Sequence, residues 1–213
     1  MSFFENTRKP VGLSGKIMVA MMNLGHSPVA RWGLHFLELT PDAKVLDCGC
    51  GGGANIKRLL KKCPQGVVKG IDYSSVSVEK SKKVNEAAIA EGRCAVLQGS
   101  VADMMFADNG FDAVIVSNAL HIVPQPEKAL QEIKRVLKDD GVLIAPTFTH
   151  AGNSFTGKFR AFFMRMAGFP LHSKWTSAEY LSFLRQNGWA VRKSVVLKAS
   201  FPLTYTECVK SEV

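Results

Sequence analysis

Between residues 44 and 147, short β-branched apolar runs alternate with longer stretches whose apolar positions recur at helical spacing. The runs at 44–48, 67–72, 93–98, 112–118 and 141–147 predict strands. Between them, 55–63, 75–91 and 127–138 predict helices, with Ile56, Leu59 and Leu60 on one face of the first and Ala129, Ile133, Val136 and Leu137 on one face of the last. Near-continuous apolar strands separated by helices belong to a parallel sheet covered on both faces. The chain therefore reads as an α/β protein with a doubly wound, mostly parallel sheet and right-handed crossovers.

The flanks follow other patterns. Residues 12–39 read as one or two helices, and 152–168 as an aromatic-rich helical stretch after the fifth strand. Thr176-x-x-Glu179 makes a capping box for a helix ending near Gly188. The runs at 191–197 and 204–210 lie too close together for a helical crossover, so an antiparallel hairpin is the simplest way to finish a seven-stranded sheet. The expected organisation is one domain over residues 1–213. It has a helical cap at 1–40, a ligand-binding core at 41–147, a lid insertion at 148–175, and a closing helix and hairpin at 176–213.

Composition sharpens this picture at three points. The chain has 213 residues, 46% hydrophobic and 21% charged, and no apolar run of the roughly 18 residues that a membrane span needs. Residues 1–9 lack the apolar segment of a secretory signal, which makes the cytoplasm the expected location. The five cysteines are scattered without CxxC pairs, so packed reduced thiols are expected and a zinc site is not. The net charge of +9 is uneven, because residues 148–213 carry nine Lys/Arg against three Asp/Glu. A protein that tracks phosphates would spread such charge along a face with interleaved aromatics, so no specific nucleic-acid partner is expected.

The chemistry-bearing stretch is Val45-Leu-Asp-Cys-Gly-Cys-Gly-Gly-Gly53. A strand ends there and glycines open a helix, so backbone can approach a ligand that any Cβ would obstruct. The second strand ends in Asp72, placed to accept hydrogen bonds from a ribose. Gly49-x-Gly51-x-x-Ala54 would also satisfy a dinucleotide fingerprint. Asp47 separates the two readings, because a carboxylate beside a pyrophosphate is repelled whereas an ammonium or sulfonium is attracted.

Asp47, Gly49, Gly51 and Gly53 in this spacing resemble motif I of the class I S-adenosylmethionine-dependent methyltransferases, of the type-11 and quinone-biosynthesis kind. The resemblance continues in order. Gly70-Ile-Asp-Tyr-Ser74 is similar to the second motif, which implies Asp72 on the ribose hydroxyls and Tyr73 against the adenine. Gln98-Gly-Ser-Val-Ala102 occupies the third-strand loop, which implies Ser100 and Val101 at the adenine; many relatives have Asp where this chain has Ser100. Phe111-Asp-Ala-Val-Ile-Val-Ser-Asn-Ala-Leu-His121 resembles the fourth-strand motif, implying Ser117 and Asn118 near the methionine end. Arg135-Val-Leu-Lys-Asp-Asp-Gly-Val-Leu143 matches the helix-turn-strand that follows. Met22-Asn-Leu-Gly-His26, with Trp32, resembles the segment preceding motif I in quinone-biosynthesis C-methyltransferases. The implied fold is the Rossmann-like methyltransferase fold, the implied cofactor S-adenosylmethionine with S-adenosylhomocysteine as product, and the implied activity in-line methyl transfer to a small molecule. The alternatives are a nicotinamide-dependent oxidoreductase and a non-catalytic cofactor- or RNA-binding protein.

In such a transfer the protein mainly aligns a nucleophile and removes water, with a general base where the nucleophile needs one. His121, just past the fourth strand, and His26, in the cap, are the candidates; a packed, hydrogen-bonded role is the plainer reading of each. Phe155, Phe159, Phe162, Phe163 and Met166 form an apolar stripe with Lys158, Arg160 and Arg165 off it. The stretch reads either as a packing helix or as a lid that draws in an anionic or lipid-like acceptor.

Overall fold

The computed structural model describes residues 33–149, 175–197 and 202–211. His26, Trp32, most of the expected cap and all but the two ends of the expected lid insertion lie outside the described residues. Eight strands and five helices follow in chain order among the described residues: β1 (Lys44–Cys48), α1 (Ala54–Lys62), β2 (Val67–Asp72), α2 (Ser75–Val84), α3 (Glu86–Ala90), β3 (Cys94–Gln98), β4 (Phe111–Ile115), α4 (Pro126–Val136), β5 (Leu137–Ile144), β6 (Thr147–Phe148), α5 (Ser177–Gln186), β7 (Trp189–Leu197) and β8 (Leu203–Lys210).

The strands form one sheet in the order β3-β2-β1-β4-β5-β8, with β7 on the outer side of β8. The first five strands are parallel: Asp47 of β1 stands beside Gly70 of β2 and Ile115 of β4. β8 runs antiparallel to both β5 and β7, so the closing hairpin is present and its second arm is the inner one. The sheet has eight strands, not seven, because the expected fifth strand is two. Pro146 has no N–H to give to a ladder, β5 ends at Ile144, and β6 re-pairs with β8 through Thr147–Thr204 and Phe148–Leu203.

Alternation along the central strands sends successive side chains to opposite faces. Val45, Ala113, Ile115 and Ile144 pack with Ile56, Leu59 and Leu60 of α1 and Val78 of α2. Leu46, Val114, Val116 and Leu143 pack with Ala129, Leu130, Ile133 and Val136 of α4 and with Tyr180 and Leu184 of α5. Both faces are thus covered, as the apolar runs require.

The helix expected over 75–91 is broken at Asn85. That side chain is 4% exposed and donates to the carbonyls of Ser81 and Gly53, at 2.9 and 3.1 Å. At α5 the capping box forms in full: the Glu179 amide donates to the Thr176 hydroxyl at 3.2 Å, and the Thr176 amide donates to the Glu179 carboxylate at 2.7 Å. Thr176→Ala is expected to lower stability by about 1 kcal/mol, read as a melting temperature lower by about 2–4 °C.

Candidate functional site

The carboxyl ends of β1, β2, β3 and β4 converge on one edge of the sheet, where an open α/β sheet leaves a crevice. The chain leaves β1 through Gly49, Gly51 and Gly53, whose φ values of 72°, 51° and 80° are all left-handed. The amides of Gly49 and Cys50 both donate to the Ile71 carbonyl, at 2.8 and 3.1 Å, which binds this loop to the end of β2. A Cβ on Gly51 would meet nothing within 4 Å, so the loop presents bare backbone to open space.

Asp72 is already engaged. One carboxylate oxygen accepts from the Gly51 amide at 2.8 Å and the other from the Ser74 amide at 2.9 Å. Burial raises its pKa, and the two amides together with the Ser77 side chain pull the other way. The residue thus ties the glycine loop to the entrance of α2, where Ser74 accepts from the Ser77 amide as the N-cap.

Asp47 is only 1% exposed, and its Oδ2 has no hydrogen-bond partner. Burial, and then the charge of Asp72, push its pKa up from 3.8 to about 7. Asn118 is the second unmet acceptor on this edge. It lies three residues past the end of β4 with φ 53°, its amide donates to the Pro146 carbonyl at 2.8 Å, and its Oδ1 is buried without a partner. A left-handed non-glycine residue with an unsatisfied buried oxygen is a costly arrangement, and such costs collect at ligand sites.

Around them stand the other expected residues. Tyr73 is 58% exposed beside Asp72. The Ser100 hydroxyl accepts from the Ala102 amide at 3.2 Å, so part of its accepting capacity is spent inside its own loop; Val101 is buried next to it. His121 Nδ1 lies 3.1 Å from the Thr147 hydroxyl, with Phe148 edge-on to the ring. All five cysteines are buried and free, and no group of metal-ligating side chains occurs among the described residues.

Three supports had no distinct signal in the sequence. Asn85 fixes Gly53, and Thr147 fixes His121. The third is the pair Glu132 and Arg135 on α4, which hold the loop after β3: Glu132 accepts from the Met104 amide at 2.8 Å, and Arg135 donates to the Met104 and Phe106 carbonyls at 2.9 and 2.7 Å.

The chain has known relatives in sequence and in fold. Residues 46–145 match the family model described as a methyltransferase domain. The chain is 35% identical over 108 residues to cycloartenol-C-24-methyltransferase 1 of Oryza sativa subsp. japonica, covering 49% of this chain and 31% of that protein. It is 27% identical over 155 residues to the ubiquinone/menaquinone biosynthesis C-methyltransferase UbiE of Geotalea daltonii, covering 71% of this chain and 66% of that one. The matches thus span from about a third to about two thirds of these relatives' own length. In fold, the chain superposes on the methyltransferase in the Haloferax volcanii complex with the Trm112 methyltransferase activator, with a TM-score of 0.80, 18% identity, and coverage of 100% of this chain and 99% of that one.

Proposed function

We propose that this chain, whose residues 46–145 match the methyltransferase-domain family model, is a class I methyltransferase that transfers a methyl group from S-adenosylmethionine to a small-molecule acceptor. The observation that carries the reading is the buried, unpartnered carboxyl of Asp47 behind an open glycine loop. A pyrophosphate at this loop would face that carboxyl with like charge, whereas a ligand with ammonium donors would satisfy it. The orphaned Oδ1 of Asn118 calls for a donor as well. The residues present therefore fit a cationic amino-acid nucleoside better than a dinucleotide.

When bound, S-adenosylmethionine supplies a methyl group already made electrophilic by its sulfonium. The chain's own residues have the simpler tasks of holding and orienting. Asp47 and Asn118 accept from the ammonium, Asp72 accepts from the ribose hydroxyls, Tyr73 offers a ring face to the adenine, and Ser100 and Val101 line it. Gly49, Gly51 and Gly53 keep the backbone low enough for close approach. His121, three residues after Asn118 in the chain, is the candidate to meet the acceptor. The names of the relatives, a cycloartenol and a quinone-biosynthesis methyltransferase, support a lipid-like acceptor, in keeping with the aromatic and basic stretch at 155–166.

S-adenosylmethionine or S-adenosylhomocysteine is expected to raise the melting temperature, because a ligand that binds the native state alone stabilises it by mass action; NADH is not. Asp72→Ala should weaken cofactor binding by about 1.5–3 kcal/mol, tenfold or more, since charge-assisted hydrogen bonds are lost. It should also lower the melting temperature of the free protein, because the Gly51 and Ser74 amides lose their acceptor. A transition moved by NADH and not by millimolar S-adenosylhomocysteine would overturn the reading. Release of S-adenosylhomocysteine across a metabolite collection then identifies the acceptor.

A further inference from the structure

Pro146 has no N–H, so the peptide that joins it to Ala145 can be held by hydrogen bonds only at the Ala145 carbonyl. Two fully buried hydroxyls hold it there: Tyr180 of α5 donates at 2.7 Å and Thr206 of β8 at 2.9 Å. One donor satisfies a carbonyl; a second engages the remaining lone pair and fixes the direction in which the oxygen points. The proline ring locks φ, which leaves one torsion between the clamped peptide and the Pro146 carbonyl. On the far side, pairing of Thr147 with Thr204 fixes the start of β6. The Pro146 carbonyl in turn accepts the Asn118 amide at 2.8 Å, and Asn118 is the left-handed residue whose buried Oδ1 has no partner. A line of fixed groups therefore runs from α5 and β8, through Ala145 and Pro146, to Asn118.

We propose that Tyr180, together with Thr206, is a positioning residue for the cofactor site, acting through the Ala145–Pro146 peptide to set the place of the Asn118 side chain. Each hydroxyl proton is already given to Ala145, so the two act at a distance and not as ligand contacts. The proposal rests on the reading of Asn118 as an acceptor for the cofactor's ammonium. A left-handed non-glycine residue persists only where its surroundings over-determine it. With the Ala145 carbonyl free to swing, the Pro146 carbonyl would shift, Asn118 would relax toward an ordinary backbone conformation, and its Oδ1 would leave the position from which it can accept. The last helix and the inner strand of the closing hairpin thus have a task in ligand binding besides covering the core.

The test is a double-mutant cycle on S-adenosylhomocysteine affinity, measured by calorimetry on the full chain. Tyr180→Phe removes the hydroxyl and keeps a ring to stack on Trp175. Asn118→Gly removes the side chain and adopts a positive φ without strain. Tyr180→Phe should weaken binding by about fivefold or more in the wild-type background and by less than about twofold in Asn118→Gly, because an effect relayed through a side chain vanishes with it. Thr206→Val, which keeps the branched shape, should follow the same pattern, and it reads the clamp if Tyr180→Phe does not fold. A role in packing alone would lower the melting temperature and leave the affinity of the folded protein unchanged, or cost the same factor in both backgrounds; either result overturns the proposal. Wild type that binds no S-adenosylhomocysteine overturns the cofactor reading and this proposal with it. Wild type that binds, with equal losses in the two backgrounds, overturns the proposal alone.

Discussion

Asp47→Asn is expected to make the ligand-free protein harder to unfold at pH 8 and to cost it tenfold or more in S-adenosylmethionine affinity. The Asp47 carboxyl is pushed up to about 7 by burial and by Asp72, against an ordinary value of 3.8. As the pH rises, the unfolded chain loses this proton first. Stability drawn from the neutral buried acid is complete below about pH 4, drains away between about pH 4 and 7, and is gone above that range. An Asn at 47 has no proton to lose, so its advantage over wild type grows through the same window to about 2–4 kcal/mol. The melting temperature at pH 8 should rise accordingly, by about 5 °C or more. A cationic ligand prefers the ionised carboxylate, so wild-type affinity should strengthen from pH 6 to 7.5 and binding at pH 7 should release protons. Calorimetry in buffers of different ionisation enthalpy reads that release. Superimposable melting curves for the two proteins from pH 5 to 8 would show that the carboxylate is compensated in the free protein and carries no such strain.

Gly53→Ala is expected to unfold much of the population or lower stability by about 2–5 kcal/mol, from two causes that add. The φ of 80° is left-handed, which costs an L-residue about 1–2 kcal/mol. The new Cβ would also overlap the Ser81 hydroxyl, stand 2.5 Å from Asn85 Nδ2 and lie 2.8 Å from Ser81 Cα, and overpacking of that kind costs about 1–3 kcal/mol. Relief would require Asn85 to release the Gly53 carbonyl, undoing the break between α2 and α3. Gly51→Ala is the contrasting control. Its φ of 51° is also left-handed, yet its Cβ meets nothing. It should lose only about 1 kcal/mol of stability, while its methyl group intrudes on the space above the loop and weakens cofactor binding. Urea unfolding of both variants beside cofactor titration of the second separates the two roles. A Gly53→Ala protein as stable as wild type would show that the helix α2 yields easily.

How much of this was legible beforehand depends on what each feature is made of. Near-continuous apolar runs announced every central strand, because burial on both faces leaves its mark on residue type. Breaks within an apolar run were not announced. The expected strand at 141–147 ran through Pro146, and the stretch beyond it has too few residues to announce β6. The expected strand at 112–118 ends at Ile115, since the left-handed turn at Asn118 is set by its amide reaching the Pro146 carbonyl, a backbone pairing no side chain records. Likewise Asp72 was legible as a carboxylate at a strand end. Its bonds to the Gly51 and Ser74 amides were not, because every residue but proline carries such a donor. Asp47 was legible as an acid at the end of the first strand, yet its depth of burial and its unmet oxygen belong to the packing of β1 between β2 and β4. Thr147 and Arg135 act on groups 26 and about 30 residues away, beyond the reach of any local pattern.

The placing of β8 has a consequence for how the molecule comes into being. The last strand among the described residues, β8, is an interior one, seated between β5 and β7 and carrying Thr204, Tyr205, Thr206 and Cys208 into the core. Everything up to Ile144 can assemble as the chain leaves the ribosome, but it does so with the outer side of β5 open. An unpaired strand edge of that kind is a template for pairing with another chain. Until residue 210 emerges, the nascent protein must keep that edge from its neighbours, and long-range pairing of this sort is also the slow part of folding. Vulnerability to aggregation should therefore peak in the interval between completion of the parallel strands and the arrival of β8, the strand that seals them.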